Sequence, residues 1–175
     1  QLVDFALNNK GYKTWSIIYD TTSYGDSCSK TMQNALEKAG GKVLSVDGVP
    51  VGTQDFRPIL SRLKTLDPSP QAVYFGGVVS EAALLRLQML EMGMDNYLYA
   101  GVTGFDSETF NKTAGKASEG TLIIGKKAIG KESAFVKAYE KAGYKAYYEA
   151  TGPYAYDATN LIIAAINKVG PNDKK

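Results

Sequence analysis

The chain has 175 residues, 44% of them hydrophobic, which suffices for one substantial core and not for two, so a single domain over 1–175 is expected. Its 20 basic and 18 acidic side chains leave a formal charge of +2, with the lysines scattered among Asp and Glu, which argues against a nucleic-acid partner. With no histidine, and Cys28 as the sole cysteine, Ser-His-Asp triads, Cys-His dyads and the usual zinc sites are excluded together.

In chain order, "QLVDFALNNKGYK" reads as the last turns of a helix running into a strand, which suggests a piece of something longer. Five short apolar runs follow as strands: "TWSIIY" from Thr14, "KVLSVDG" from Lys42, "AVYFGG" from Ala72, "YLYAGV" from Tyr97 and "TLIIG" from Thr121. Near-continuous hydrophobicity is what a parallel sheet buried on both faces requires. No run approaches the ~20 apolar residues needed to span a bilayer.

Helices are expected between the strands. Cys28, Met32, Ala35, Leu36 and Ala39 recur at the helical period, as do Phe56, Ile59, Leu60, Leu63 and Leu66. Further helices are expected over about 80–92 and 133–142. A last one carries Ala158, Leu161, Ile162, Ala165, Ile166 and Val169 on one side, with Pro153 in its opening turn. Gly40, Gly93, Gly143 and Gly170 stand just past four helix ends, where a left-handed residue closes the last turn. Cys28, on an apolar helix face, reads as a buried, inert thiol. The segment "YYEATGP" reads as a loop between helices.

Alternating strands and helices give right-handed crossovers and a flavodoxin-like, doubly wound α/β fold, a parallel sheet of about five strands in the order 2-1-3-4-5. Its ligand crevice lies at the carboxyl ends of the strands. The loops over 20–26, 47–55, 76–80 and 101–106 therefore matter most, since a bound group there meets the first N–H groups of the following helices.

Several chemistries can be weighed on these loops. "DTTSYGDS" offers the hydroxyls of Thr21, Thr22, Ser23 and Ser27 for a flavodoxin-type phosphate site, with Phe105 the one aromatic placed to stack on a flavin; the spacing is imperfect. A receiver domain fails, because Gly76 and Gly77 stand where the phosphoacceptor acid belongs. Neither GxxxxGK[ST] nor GxGxxG follows a strand. Asp20, Asp26, Asp47, Asp55 and Asp106 could hold Mg²⁺, but helix caps and turns account for Asp26, Asp55 and Asp106 better. What remains is a mouth of hydroxyls, glycines and Tyr24, chemistry for holding a small molecule without a cofactor or a reaction.

"WSIIYDTTSYGDS", "VPVGTQDFRPILSRLKTLDPSPQAVYFGG", "AGKASEGTLI" and "GPYAYDATNLIIAAI" resemble the branched-chain amino-acid-binding proteins, the type I periplasmic binding proteins that serve ABC importers. The resemblance runs from about Tyr12 to Gly170 and covers only the second of the family's two lobes. It implies a non-enzymatic solute-binding component, periplasmic or extracellular and docking at a membrane permease, made with a signal peptide. The ligand would be closed between this lobe and a missing N-terminal lobe by hinge bending.

Carried over by position, Tyr24 in "SYGDS" packs against ligand. Gly77 and Val78 in "YFGGVVSEA" line the pocket, Val78 standing where leucine-type binders often have an aromatic ring. Thr103, beside Gly104 in "YAGVTGFDSE", stands where amino-acid-binding relatives place a glutamate that pairs with the ligand ammonium. Asp20, Ser80 and Asp106 are candidate supporting residues. An amino acid, an amide or a small carboxylate are the ligand classes implied. Alternatives are a sensory receptor domain of the same fold and, more remotely, a flavodoxin-like electron carrier. An isolated lobe with exposed apolar surface is also expected to self-associate.

Overall fold

Five parallel strands pair side by side in the order β2-β1-β3-β4-β5, as expected. They are β1 (Thr14–Asp20), β2 (Lys42–Val49), β3 (Ala72–Gly76), β4 (Leu98–Gly101) and β5 (Leu122–Ile123). The computed structural model describes residues 1–102, 104–125, 130, 132–144 and 152–170. These fall into two compact units, 1–125 and 126–175.

In the first unit β1 and β3 are the central strands, and their sequences show why. Trp15, Ile17 and Ile18 are fully buried, and every residue of β3 is buried, because helices cover both faces of the sheet. Trp15 also donates its ring N–H to the Tyr12 carbonyl (2.8 Å). Ser16 is buried too, and is satisfied by the Ser45 hydroxyl at 3.0 Å, beside a register shift between β1 and β2. The edge strand β2 is partly or fully exposed at every position except Val49.

The helices are α1 (Leu2–Asp4), prolonged by a π-helical turn over Phe5–Asn9, then α2 (Ser23–Lys38), α3 (Arg57–Lys64), α4 (Val79–Glu91) and α5 (Glu108–Ala114). The opening helical turns were anticipated from the sequence, whereas α5 was missing from the expected helices. It has seven residues, too few to show a helical period, and is followed by a 3₁₀ turn over Gly115–Ser118. Its core contact is aromatic. Phe110 stacks on Phe105 (5.2 Å between centroids), which also stacks with Tyr99 (6.1 Å) and Phe75 (6.4 Å), and Phe56 meets Phe75 edge-on.

Buried polar side chains of α4 tie the surrounding loops to the sheet. Gln88 accepts from Phe56 N (2.7 Å) and donates to the Gln54 carbonyl (2.8 Å), while Glu81 accepts from Gly52 N (2.8 Å). Arg86 donates from Nε to the Ala117 carbonyl (2.7 Å) and lies against the Tyr99 ring.

The second unit holds α6 (Ala134–Lys141) and α7 (Gly152–Val169). Ser133 caps α6 through Val136 N (3.2 Å), and Phe135 packs against Tyr139 and Tyr156. Pro153 lies in the first turn of α7, and Leu161, Ile162, Ile166 and Val169 of its apolar side are exposed. Gly40, Gly93, Gly143 and Gly170 all adopt the positive φ expected past a helix end. Of the expected loop "YYEATGP", residues 147–151 lie outside the described residues.

Candidate functional site

The loop after β1 is organised by Asp20. Its side chain is fully buried, and Oδ1 accepts from Thr22 N (3.1 Å) and from the Thr22 hydroxyl at short range. The Thr22 hydroxyl oxygen in turn accepts from Gly25 N (3.0 Å) and caps α2. The Thr22 hydroxyl is thus used internally, and the buried Asp20 carboxylate stands directly before the start of α2. A phosphate there would meet like charge, which removes the physical basis for a flavodoxin-type site. Phe105, the aromatic residue that reading needed, is buried in the ring stack and cannot cover a flavin.

Gly25 makes this geometry possible. A Cβ there would lie 2.2 Å from the Asp20 carbonyl oxygen, 2.4 Å from Asp20 Oδ1 and 2.8 Å from the Gly76 carbonyl oxygen. The helix therefore starts directly against the ends of both central strands. Tyr24, one residue earlier, is 51% exposed. Burial pushes its hydroxyl above the usual tyrosine range, and contact with Cys28 adds to the shift. Cys28 is half-buried; burial pushes its thiol up, partly offset by the Tyr24 hydrogen bond.

After β3 the chain passes through Gly77, which is buried, to Val78, which is 43% exposed and caps α4 without a side-chain acceptor. A Cβ on Gly77 would strike the Phe75 ring (2.7 Å) and Asp20 Oδ2 (2.8 Å), so only glycine lets these two loops approach. Ser80, expected to support the site, donates to Glu81 Oε2 (2.6 Å).

After β4, Gly104 adopts φ +111 and donates its N–H to Asp106 Oδ1 (3.2 Å). Asp106 is exposed. Thr103 lies outside the described residues. The N-caps here are Thr22 and Ser107, not Asp26 or Asp106. Asp26 pairs with Lys30 inside α2 (2.7 Å), while Asp55 accepts from Arg57 N (3.1 Å) as a turn residue. No three His, Cys, Asp or Glu side chains converge as metal ligands among the described residues.

Tyr24, in the first turn of α2, and Gly77, Val78 and Gly104, in the segments after β3 and β4, therefore follow the carboxyl ends of β1, β3 and β4, which are neighbours in the sheet. Beside Tyr24 an apolar groove of about 360 Å³ is lined by Cys28, Met32, Tyr74, Val102 and Ile124 among others. Glu81 and Gln88, which brace the loop before α3, escaped the sequence reading. On a helix they look like solvent-facing residues, and only burial reveals their role.

Strand order, crossover helices and these loops define one lobe of the type I periplasmic binding fold. All of residues 1–175 match the family described as periplasmic binding protein, and the chain belongs to that family. It is 29% identical over 173 residues to a Leu/Ile/Val-binding protein homolog of Brucella melitensis, covering 98% of this chain and 46% of the relative. A leucine-, isoleucine-, valine-, threonine- and alanine-binding protein of Pseudomonas aeruginosa is 31% identical over 167 residues, covering 92% of this chain and 43% of that one. The crystal structure of a leucine-binding protein from Thermotoga maritima superposes with a TM-score of 0.83 at 26% identity, covering 98% of this chain and 49% of that one. The chain spans about half the length of the curated relatives it matches. No described helix is long and apolar enough to cross a membrane.

Proposed function

We propose that this chain is the second lobe of a solute-binding protein serving an ABC importer, in the periplasm or at the cell exterior, and that it binds without catalysing a reaction. The observation that carries the reading is that Tyr24, Gly77, Val78 and Gly104 follow the carboxyl ends of three adjacent strands, where open α/β sheets take ligands. Family membership supports it, and the names of the relatives favour a small amino acid as ligand.

In this reading a partner lobe supplies the facing wall of the cleft, hinge closure desolvates the ligand from both sides, and a permease reads the closed form. Tyr24 offers a half-exposed ring as one wall, and Val78 an aliphatic surface at the start of α4. Thr103 has no charge to offer an ammonium, so an amide or small carboxylate belongs in the test beside the amino acids. A single lobe forms half of the cleft, so its affinity alone is expected to be weak.

Calorimetry and thermal-shift screening of the two-lobed protein against amino acids, amides and aromatic acids, with this chain in parallel, tests the proposal. Saturable binding of one class by the two-lobed protein, much weaker in this chain, is the expected result. Absence of binding across all three classes, or equal affinity of both proteins, would overturn it.

A further inference from the structure

We propose that Cys28 is a positioning residue for Tyr24: its thiol fixes the place of the Tyr24 ring, so Cys28 acts on ligand affinity through that ring without touching the ligand; this rests on the solute-binding reading. Tyr24 is the second residue of α2, and Cys28 follows one turn later. Side chains on a helix lean toward its N-terminus, so the residue four positions on covers the turn where Tyr24 stands. The Tyr24 hydroxyl donates to the Cys28 sulfur and makes no other hydrogen bond among the described residues. Tyr24 is half-exposed, and packing alone does little to select its rotamer.

The thiol, by contrast, is anchored. A Cβ added to Gly76 would lie 3.0 Å from the Cβ of Cys28, so Cys28 backs onto the end of the central strand β3, and it packs against the core. Its turn of helix is pinned at Gly25 by close approach to the Asp20 and Gly76 carbonyls. Cys28 borders the apolar groove beside Tyr24, and so does Tyr74, whose buried hydroxyl has no hydrogen-bond partner among the described residues. The sulfur therefore has two phenols as electrostatic neighbours, Tyr74 fixed in the sheet and Tyr24 at the surface. A serine at position 28 would turn its hydroxyl onto the carbonyl of residue 24, whereas a thiol is a weak donor and leaves its sulfur free to accept from the phenol.

A double-mutant cycle in the two-lobed protein, with L-leucine as probe, tests the proposal. Cys28→Ala is expected to weaken leucine binding about fivefold, the worth of one ordinary hydrogen bond. In a Tyr24→Ala background the same substitution should change affinity by less than about 2-fold, because the ring it served is gone. Equal factors in the two backgrounds would show Cys28 acting independently of Tyr24 and overturn the proposal, as would no effect of Cys28→Ala alone.

A readout without ligand tests the contact itself. Cys28 is the sole cysteine, so alkylation of this chain by iodoacetamide reports its thiolate alone. Burial raises the thiol, and the hydrogen bond from Tyr24 lowers it. Tyr24→Phe keeps the ring and removes that donor, so the pH midpoint of alkylation should move up. Tyr12→Phe, before the opposite end of β1, should leave it in place. A midpoint unmoved by Tyr24→Phe would reject the contact and the proposal with it. A two-lobed protein that does not bind leucine would overturn the amino-acid reading, a separate failure, and the alkylation profile would then decide on the thiol.

Discussion

Replacing Gly25 with alanine tests whether the mouth is built on close approach of backbone. The new methyl group would sit 2.2 Å from the Asp20 carbonyl oxygen and 2.8 Å from the Gly76 carbonyl oxygen, and both belong to central strands that cannot retreat without breaking the sheet. Overpacking costs about 1–3 kcal/mol when side chains can shift. Against backbone the upper end applies, and about 3 kcal/mol in a unit of this size lowers the melting temperature by roughly 10 °C. Trp15, the only tryptophan, is fully buried in β1, so its emission reports unfolding of this unit directly. Two comparisons calibrate the result. Gly125→Ala meets nothing within 4 Å and should be nearly silent, and Gly40→Ala meets nothing but requires φ +82, a strain of about 1 kcal/mol. A Gly25→Ala protein that melts with Gly125→Ala would refute the packing argument.

Tyr24→Ala should change stability by less than about 1 kcal/mol, because the ring is half-exposed, yet weaken ligand binding at least 10-fold by calorimetry. Arg86→Ala should lower stability by about 1–2 kcal/mol, seen as a reduced urea midpoint at unchanged slope, since it leaves the Ala117 carbonyl bare while also removing a buried Nη1 that has no partner among the described residues. Burial holds the thiol of Cys28 and the hydroxyls of Tyr24, Tyr74 and Tyr99 above their ordinary ranges. The unfolded chain releases these protons first, so stability should be level below about pH 8.5 and fall as pH rises beyond it. Urea midpoints between pH 7 and 10.5 check this, and Cys28→Ala should flatten the first part of the fall.

The architecture was legible because it rests on periodicity and punctuation. Apolar runs marked the strands, helical spacing in Cys28–Ala39 and Phe56–Leu66 marked the crossovers, and the four glycines past helix ends adopted the positive φ assigned to them. What escaped has no periodic signature. Helix α5 is too short to show one, and β5 shrinks to two residues where the sequence offers a longer apolar run. Glu81, Arg86 and Gln88 are polar side chains on a helix, where pattern alone assigns them to solvent. Their burial comes from unpaired backbone groups in the loops they face, and those partners are 29 to 34 residues away in sequence.

The same gap separates the hydroxyls of the first loop from what they do. Read from the sequence, Thr21 to Ser27 is a set of donors waiting for a ligand; folded, the Thr22 hydroxyl is spent between Asp20 and Gly25. That internal use is what turns the loop into a fixed wall. A cap anchored in a buried carboxylate holds the first turn of α2 against the strand ends, so in the proposed reading Tyr24 would meet a ligand from a backbone already ordered, with little conformational entropy left to lose on binding. In the proposed reading the ligand-facing side chains of this lobe are Tyr24 and Val78, an aromatic ring and an aliphatic surface. A small amino acid has more polar groups than these two side chains can satisfy, which is the physical reason the proposed function includes an opposing surface.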